Sequence, residues 1–103
     1  MTKFSMVGVF NCEEGKNDEM EAALEAQVAA VADDPGVEVY TYHRGEGTAY
    51  GYFAVFSSME AMQKASQSEA MQAAMATFGE LLVEGKPDAM FMGTPFSGKG
   101  LDI

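Results

Sequence analysis

Val37-Glu38-Val39-Tyr40-Thr41-Tyr42-His43, then Arg44-Gly45-Glu46-Gly47-Thr48, then Tyr50-Gly51-Tyr52-Phe53-Ala54-Val55-Phe56: these three stretches decide the fold. The outer two are dominated by β-branched and aromatic residues in alternation, which suits a pleated strand. The middle one carries two glycines, which supply the backbone freedom of a tight reversal. The segment therefore reads as an antiparallel hairpin.

Working outward, Phe4 to Phe10 is a short apolar run that reads as a strand before it. Glu14-Gly15-Lys16-Asn17 breaks that run. Asp18, with Glu21 three residues on, has the form of a capping box and predicts a helix start. Met20, Leu24, Val28 and Val31 recur at helical spacing and predict one apolar stripe. Asp33-Asp34-Pro35-Gly36 ends the helix, because the residue before proline avoids the helical region. After the hairpin, Ser57 with Glu60 and Ser66 with Glu69 repeat the capping pattern. They predict a short helix near Ser58 to Ala65 and a longer one near Glu69 to Val83. The longer helix carries Met71, Met75, Phe78 and Leu82 on one face, and Gly85 suits its stop. Ala89-Met90-Phe91-Met92 starts a final strand, and Pro95 ends its ladder. The order strand, helix, strand, strand, helix, strand is the βαββαβ pattern of an α+β, ferredoxin-like sandwich, with both helices on one face of a four-stranded antiparallel sheet. The 103 residues are expected to form one domain, with 96–103 as a loose tail.

Composition limits the functions. Sixteen acidic residues against six basic ones give a net charge of -10, which repels phosphate backbones and anionic lipid surfaces. Neither nucleic acid nor membrane is an expected partner. Cys12 is the only cysteine, so no internal disulfide forms, and a reducing cytoplasm is the expected setting. The apolar run after Lys3 lacks a small-residue cleavage site, and no stretch approaches the roughly 20 apolar residues of a membrane span.

The strands are apolar on both sides. Phe4, Met6 and Phe10 oppose Val7 and Val9. Tyr50, Tyr52, Ala54 and Phe56 oppose Phe53 and Val55. Ala89 and Phe91 oppose Met90 and Met92. Helices cover one face, so something must cover the other, and a second copy of the chain is the simplest cover. A homodimer through the sheet faces is expected.

Taken together, these residues resemble the antibiotic-biosynthesis-monooxygenase family of dimeric α/β-barrel proteins. The resemblance rests on Val9-Phe10-Asn11 with Gly15 and Lys16 behind it, and on Pro35-Gly36 ahead of the strand carrying Tyr40. It rests also on Phe56-Ser57-Ser58-Met59-Glu60-Ala61, on Gln67-Ser68-Glu69 and on Pro87 before the last strand. It covers nearly the whole chain through degenerate motifs, so it speaks more to fold than to chemistry. The resemblance implies sheet-to-sheet pairing and a cavity for a small aromatic ligand between sheet and helices. It implies oxidation of a phenol, hydroquinone or polyketide-like aromatic to a quinone, with dioxygen as co-substrate and without flavin, haem or metal. Two departures stand out. Phe56 occupies the third-strand position where many catalytic members carry tryptophan, and Ala65-Ser66-Gln67-Ser68 lacks the histidine of haem-degrading members. A non-catalytic dimeric ligand-binding module on the same fold is the alternative, and an isomerase or lyase a third possibility.

Candidate site residues follow. His43, the only histidine, suits a base for a phenolic proton near neutral pH, or is a surface residue at a strand end. The family resemblance puts Asn11 where an amide hydrogen-bonds ligand or dioxygen; it otherwise reads as a turn asparagine. Tyr40, Tyr42, Tyr50 and Tyr52, all on the hairpin, either line an aromatic pocket or pack the sheet. Phe56 joins them at the strand end. Met62, one of nine methionines, suits a pliable apolar wall or a methionine-rich core. Arg44 suits an anionic group, or is an exposed turn residue. One histidine without acidic or cysteine partners at ligand spacing gives no metal signature.

Overall fold

The hairpin forms as read. In the computed structural model, which describes residues 2–101, β2 (Val37–Arg44) pairs antiparallel with β3 (Ala49–Phe56). The turn between them closes through Gly45 N–H to the Ala49 carbonyl, and Gly47 takes a positive φ of 60°. On the other side β3 pairs with β1 (Phe4–Asn11), and β1 pairs with β4 (Ala89–Gly93), so the order is β2-β3-β1-β4, antiparallel throughout. Helices α1 (Asn17–Val31), α2 (Met59–Ala65) and α3 (Glu69–Leu81) follow in chain order, and a short 3-10 turn, Val83–Gly85, precedes β4. This is the ferredoxin-like α+β arrangement.

All three helices lie on one face. Met20, Leu24 and Val31 of α1, Ala65 of α2 and Met71 of α3 share one core with Phe4, Phe10, Tyr50, Tyr52, Ala54 and Phe56 from the strands. That alternate set of strand residues is the one the period-2 pattern assigns to a single face. Gly8, between Met6 and Phe10 on the same face, leaves space that the side chain of Met90 fills; a Cβ there would lie 3.0 Å from the Met90 methyl carbon.

Helix starts differ from the sequence expectation. Asp18 is not the cap of α1. Lys16 holds that position without a side-chain bond, and Asp18 lies inside the first turn. The carboxylate of Glu21 is committed to Arg44 and Tyr50 instead. The cap of α2 is Ser58, one residue beyond Ser57, its Oγ accepting from Ala61 N–H at 3.0 Å. The cap of α3 is Ser68, whose Oγ accepts from Met71 N–H at 3.1 Å, while Ser66 donates back to the Gln63 carbonyl. The α1 stripe also differs. Gln27 is fully buried in place of Val28, which is 39% exposed.

The outward face of the sheet is open along two cross-strand rows: Phe91, Val7, Phe53 and Thr41, and then Ala89, Val9, Gly51 and His43. Phe91 is 67% exposed and Val7 and Val9 are about half exposed, so the chain by itself does not bury both faces. Beyond these rows, an ion pair from Lys3 to Glu38 at 2.7 Å spans β3 from one side to the other. After β4, residues 94–101 form neither helix nor strand; the last two residues of the expected tail lie outside the described part. No described helix is long and apolar enough to cross a membrane.

Candidate functional site

Two concavities adjoin the hairpin, and Tyr42 lines both. The larger is an open groove of about 480 Å³ between α1 and β2, lined by Glu21, Leu24, Glu25, Val28, Tyr42, His43, Arg44 and Tyr50 among others. Its floor is polar. The Arg44 guanidinium grips the Glu21 carboxylate through two bonds of 2.7 and 2.5 Å, and the Tyr50 hydroxyl donates to the same carboxylate at 2.8 Å. These bonds, Arg44 first and Tyr50 second, hold the Glu21 pKa down to about 2. Asn17 braces Tyr50 from the other side, at 3.1 Å. Arg44 is thus already neutralised by a carboxylate.

The smaller concavity lies inside, between the sheet and the helices. It holds about 80 Å³ and is lined by Met6, Phe10, Gln27, Tyr40, Tyr42, Tyr52, Met75, Phe78, Pro87 and Met90. The helical face of the hairpin puts three tyrosines together here, because positions 40, 42 and 52 share one side of the pleat. Tyr40 meets Tyr52 edge-on with centroids 5.2 Å apart, and Tyr42 tilts over Tyr52 at 5.0 Å. Phe10 closes the end against Tyr42 at 6.1 Å and Phe78 at 5.1 Å, both edge-on. Met75 and Met90, 45% and 42% exposed, are the pliable outer wall.

Gln27 reaches this cavity from α1. Its Oε1 accepts from the Tyr40 hydroxyl at 2.9 Å and from the Tyr42 hydroxyl. Its Nε2 is buried and has no hydrogen-bond partner among the described residues. An unpaired buried donor costs about 1–3 kcal/mol. Burial raises the pKa of Tyr40 and pushes those of Tyr42 and Tyr52 well above the phenol range, with Tyr40 adding to both. All three hydroxyls stay protonated. Those of Tyr40 and Tyr42 donate to Gln27 Oε1, and none of the three acts as a base.

The remaining expected residues lie outside the tyrosine cavity, His43 at the rim of the groove. Asn11 and His43 are on the outward face, opposite the tyrosine cavity, as their cross-strand partners place them. The Asn11 amide is engaged at both ends, donating to Asp88 at 2.6 Å and accepting from the Thr48 hydroxyl at 2.9 Å. It ties the end of β1 to the approaches of β3 and β4. His43 Nε2 lies 3.0 Å from Thr41 Oγ1, and that hydroxyl donates to the Phe53 carbonyl. Phe56 is buried against Phe4 and Tyr40, and Met62 packs against the core. Neither lines either concavity. Cys12 is buried, and burial raises its thiol pKa, so it is a poor nucleophile. The described residues contain no cluster of three or more metal-ligating side chains.

Gln27 is the site residue that sequence reasoning missed. A signal existed. It lies three residues after Leu24 and four before Val31, at the centre of the apolar stripe, where a polar residue calls for a buried partner.

The family profile for antibiotic biosynthesis monooxygenase matches residues 3–77. No curated protein sequence matches the chain. Among solved structures, Rv0793 from Mycobacterium tuberculosis superposes with a TM-score of 0.82 at 19% identity, over 96% of this chain and 100% of that one. A candidate antibiotic biosynthesis monooxygenase from Chloroflexus aurantiacus gives 0.82 at 21% identity, over 96% and 98%. SnoaB, a cofactor-independent oxygenase from Streptomyces nogalater, gives 0.74 at 17% identity, over the full length of both chains. At these identities the likeness is one of fold.

Proposed function

The chain belongs to the antibiotic biosynthesis monooxygenase family, and we propose that it is a cofactor-independent monooxygenase oxidising a small phenol or hydroquinone-type aromatic to a quinone. The observation that carries this reading is the tyrosine-lined cavity between sheet and helices. It offers flat aromatic walls for a ring and, with the Tyr40 and Tyr42 protons already given to Gln27 Oε1, the unpaired Gln27 amide N–H as a donor for an oxygen. The cavity is smaller than the ~150 Å³ that holds a benzene ring. Met75 and Met90 therefore swing aside as the ligand enters.

In this reaction a phenol and one dioxygen give a quinone and one water. One oxygen atom replaces hydrogen on a ring carbon. The other leaves as water, carrying that ring hydrogen and the phenolic proton, and the ring supplies all four electrons. Once the phenol is deprotonated it passes electrons directly to dioxygen, so the protein has to bind the ring flat, favour the anion and exclude water. The unpaired Gln27 N–H suits the second task, since the Tyr40 and Tyr42 hydroxyls already donate to Gln27 Oε1. None of the described residues lining it is a carboxylate or an imidazole. The proton therefore leaves to water at the mouth, and substrates already acidic in solution are the best ones.

That same lack of a base, with Phe56 in place of tryptophan, favours a second reading: a dimeric module that binds such an aromatic without turning it over. Oxygen uptake against a panel of hydroquinones and phenols, with chelator present and no flavin or haem added, separates the two. Substrate-dependent uptake above the autoxidation blank, one dioxygen per quinone, supports the enzyme. Saturable binding without uptake supports the module.

Pairing of two chains through the outward faces is part of the proposal. The rows through Val7, Val9, Phe53 and Phe91 form a contiguous apolar surface suited to a second copy. Asn11 and His43 then belong to the paired face. The Phe91→Asp variant should run as a monomer in sizing with light scattering; an unchanged dimer would place the interface elsewhere.

A further inference from the structure

We infer that Gln27 recognises the ligand by donating a hydrogen bond from Nε2 to an oxygen that carries no proton of its own, a ring carbonyl or a phenolate. The inference rests on the proposed reading of the tyrosine cavity as the ligand site and names the group that selects what binds there. Gln27 is fully buried and lines the cavity. Its Oε1 is taken by the hydroxyls of Tyr40 and Tyr42. Two protonated phenols converging on one amide atom make that atom the oxygen, which leaves the NH2 group as the polar function Gln27 has to offer. No described protein group accepts from it. Of the other cavity walls, Met6, Phe10, Met75, Phe78, Pro87 and Met90 are apolar, and Tyr52 adds an aromatic face with one hydroxyl. A buried donor set in an apolar, aromatic enclosure is complementary to a flat ring with one acceptor oxygen. A ring bearing only hydrogens leaves the donor unpaired and binds less well, as sites built around one polar group do. The two tyrosine bonds draw electron density from the amide oxygen and so sharpen Nε2–H as a donor.

The test uses 1-indanone and indane, which share a ring skeleton and differ by one carbonyl oxygen, titrated calorimetrically into the intact protein. Wild type should bind 1-indanone about tenfold more tightly than indane. Gln27→Met, close to Gln in shape, should lose about tenfold for 1-indanone and nothing for indane. In wild type, the Gln27 side-chain NH2 resonances should move with 1-indanone and stay with indane, a readout that does not depend on the variant folding. Equal affinity of wild type for the two probes, an equal loss of both in Gln27→Met, or unmoved NH2 resonances would overturn the inference. Failure of the oxygenase reading shows elsewhere, as absent oxygen uptake with phenols. Selective 1-indanone binding without such uptake leaves the amide's role standing and removes only the activity.

Discussion

The groove and the cavity on either side of Tyr42 use the same hairpin to opposite ends. In the groove, charge is matched with charge: Glu21, Arg44, Tyr50 and Asn17 satisfy one another in reach of water. In the cavity, three tyrosines and Phe10 enclose a glutamine whose amide is only half satisfied. In the larger space the Glu21–Arg44–Tyr50 network is thus spent on itself, while the smaller keeps an unspent, buried donor. Volume alone favours the groove, and the unspent donor favours the cavity. The difference comes from strand parity and from α1. Tyr42 and Arg44 point to the same side, but Arg44 sits at the strand end, where α1 supplies Glu21. Tyr40 and Tyr42 sit deeper, where α1 supplies Gln27 one and a half turns further on.

The comparison can be broken most forcefully at Phe10, which stacks on Tyr50 at 5.7 Å and closes the cavity against Tyr42 and Phe78. Phe10→Ala should lose about 3–5 kcal/mol of stability in urea unfolding; a loss under about 1 kcal/mol would mean that Phe10 does not hold the end of the cavity. Next in size is Tyr42→Phe. It removes one of the two bonds to Gln27 Oε1 and should cost about 1 kcal/mol, with oxygen uptake falling about tenfold. Uptake at the wild-type rate would detach Tyr42 from the chemistry.

Two pH profiles sharpen the contrast further. Tyr42 and Tyr52 have pKa values raised in the fold. Their neutral forms therefore stabilise it fully below about pH 10, the unfolded value, and that contribution is lost as pH rises beyond it. The Tm should fall above pH 10, and less steeply in Tyr42→Phe; parallel profiles would contradict the buried, protonated cluster. The groove gives the smallest effect and the opposite sign. Glu21 is depressed to about 2, so its contribution is present above about pH 4.5 and lost as pH falls toward 2. The Tm difference between wild type and Glu21→Gln should be small at pH 7, since Arg44 is largely exposed, and should close over that window.

Much of the fold is written locally. Alternation in the hairpin, the glycine turn and helical spacing give the element order, because each depends on neighbours a few residues away. The capping serines were displaced by one or two positions, since every candidate lay in a serine-rich run and only packing decides which one enters the cap. Asp18 and Glu21 made a convincing box that does not form, because Arg44 lies 23 residues away in sequence and bonds Glu21. The site shows the same division. Gathering of tyrosines on the hairpin was visible, and so was the pairing of positions 40 and 42 on one side. Their convergence on Gln27 was not, since it depends on how α1 crosses the sheet. His43 stands out by residue type and Asn11 by the family resemblance, but strand parity turns both to the outward face.

The central claim is that the aromatic is held and oxidised in the tyrosine cavity and not in the open groove. Oxygen uptake with one hydroquinone, compared between Gln27→Met and Val28→Glu, tests it most directly, because Gln27 lines only the cavity and Val28 only the groove. The account predicts that Gln27→Met loses about tenfold in uptake and that Val28→Glu stays within about twofold of wild type. Loss in Val28→Glu with Gln27→Met unaffected would contradict it and move the chemistry to the groove.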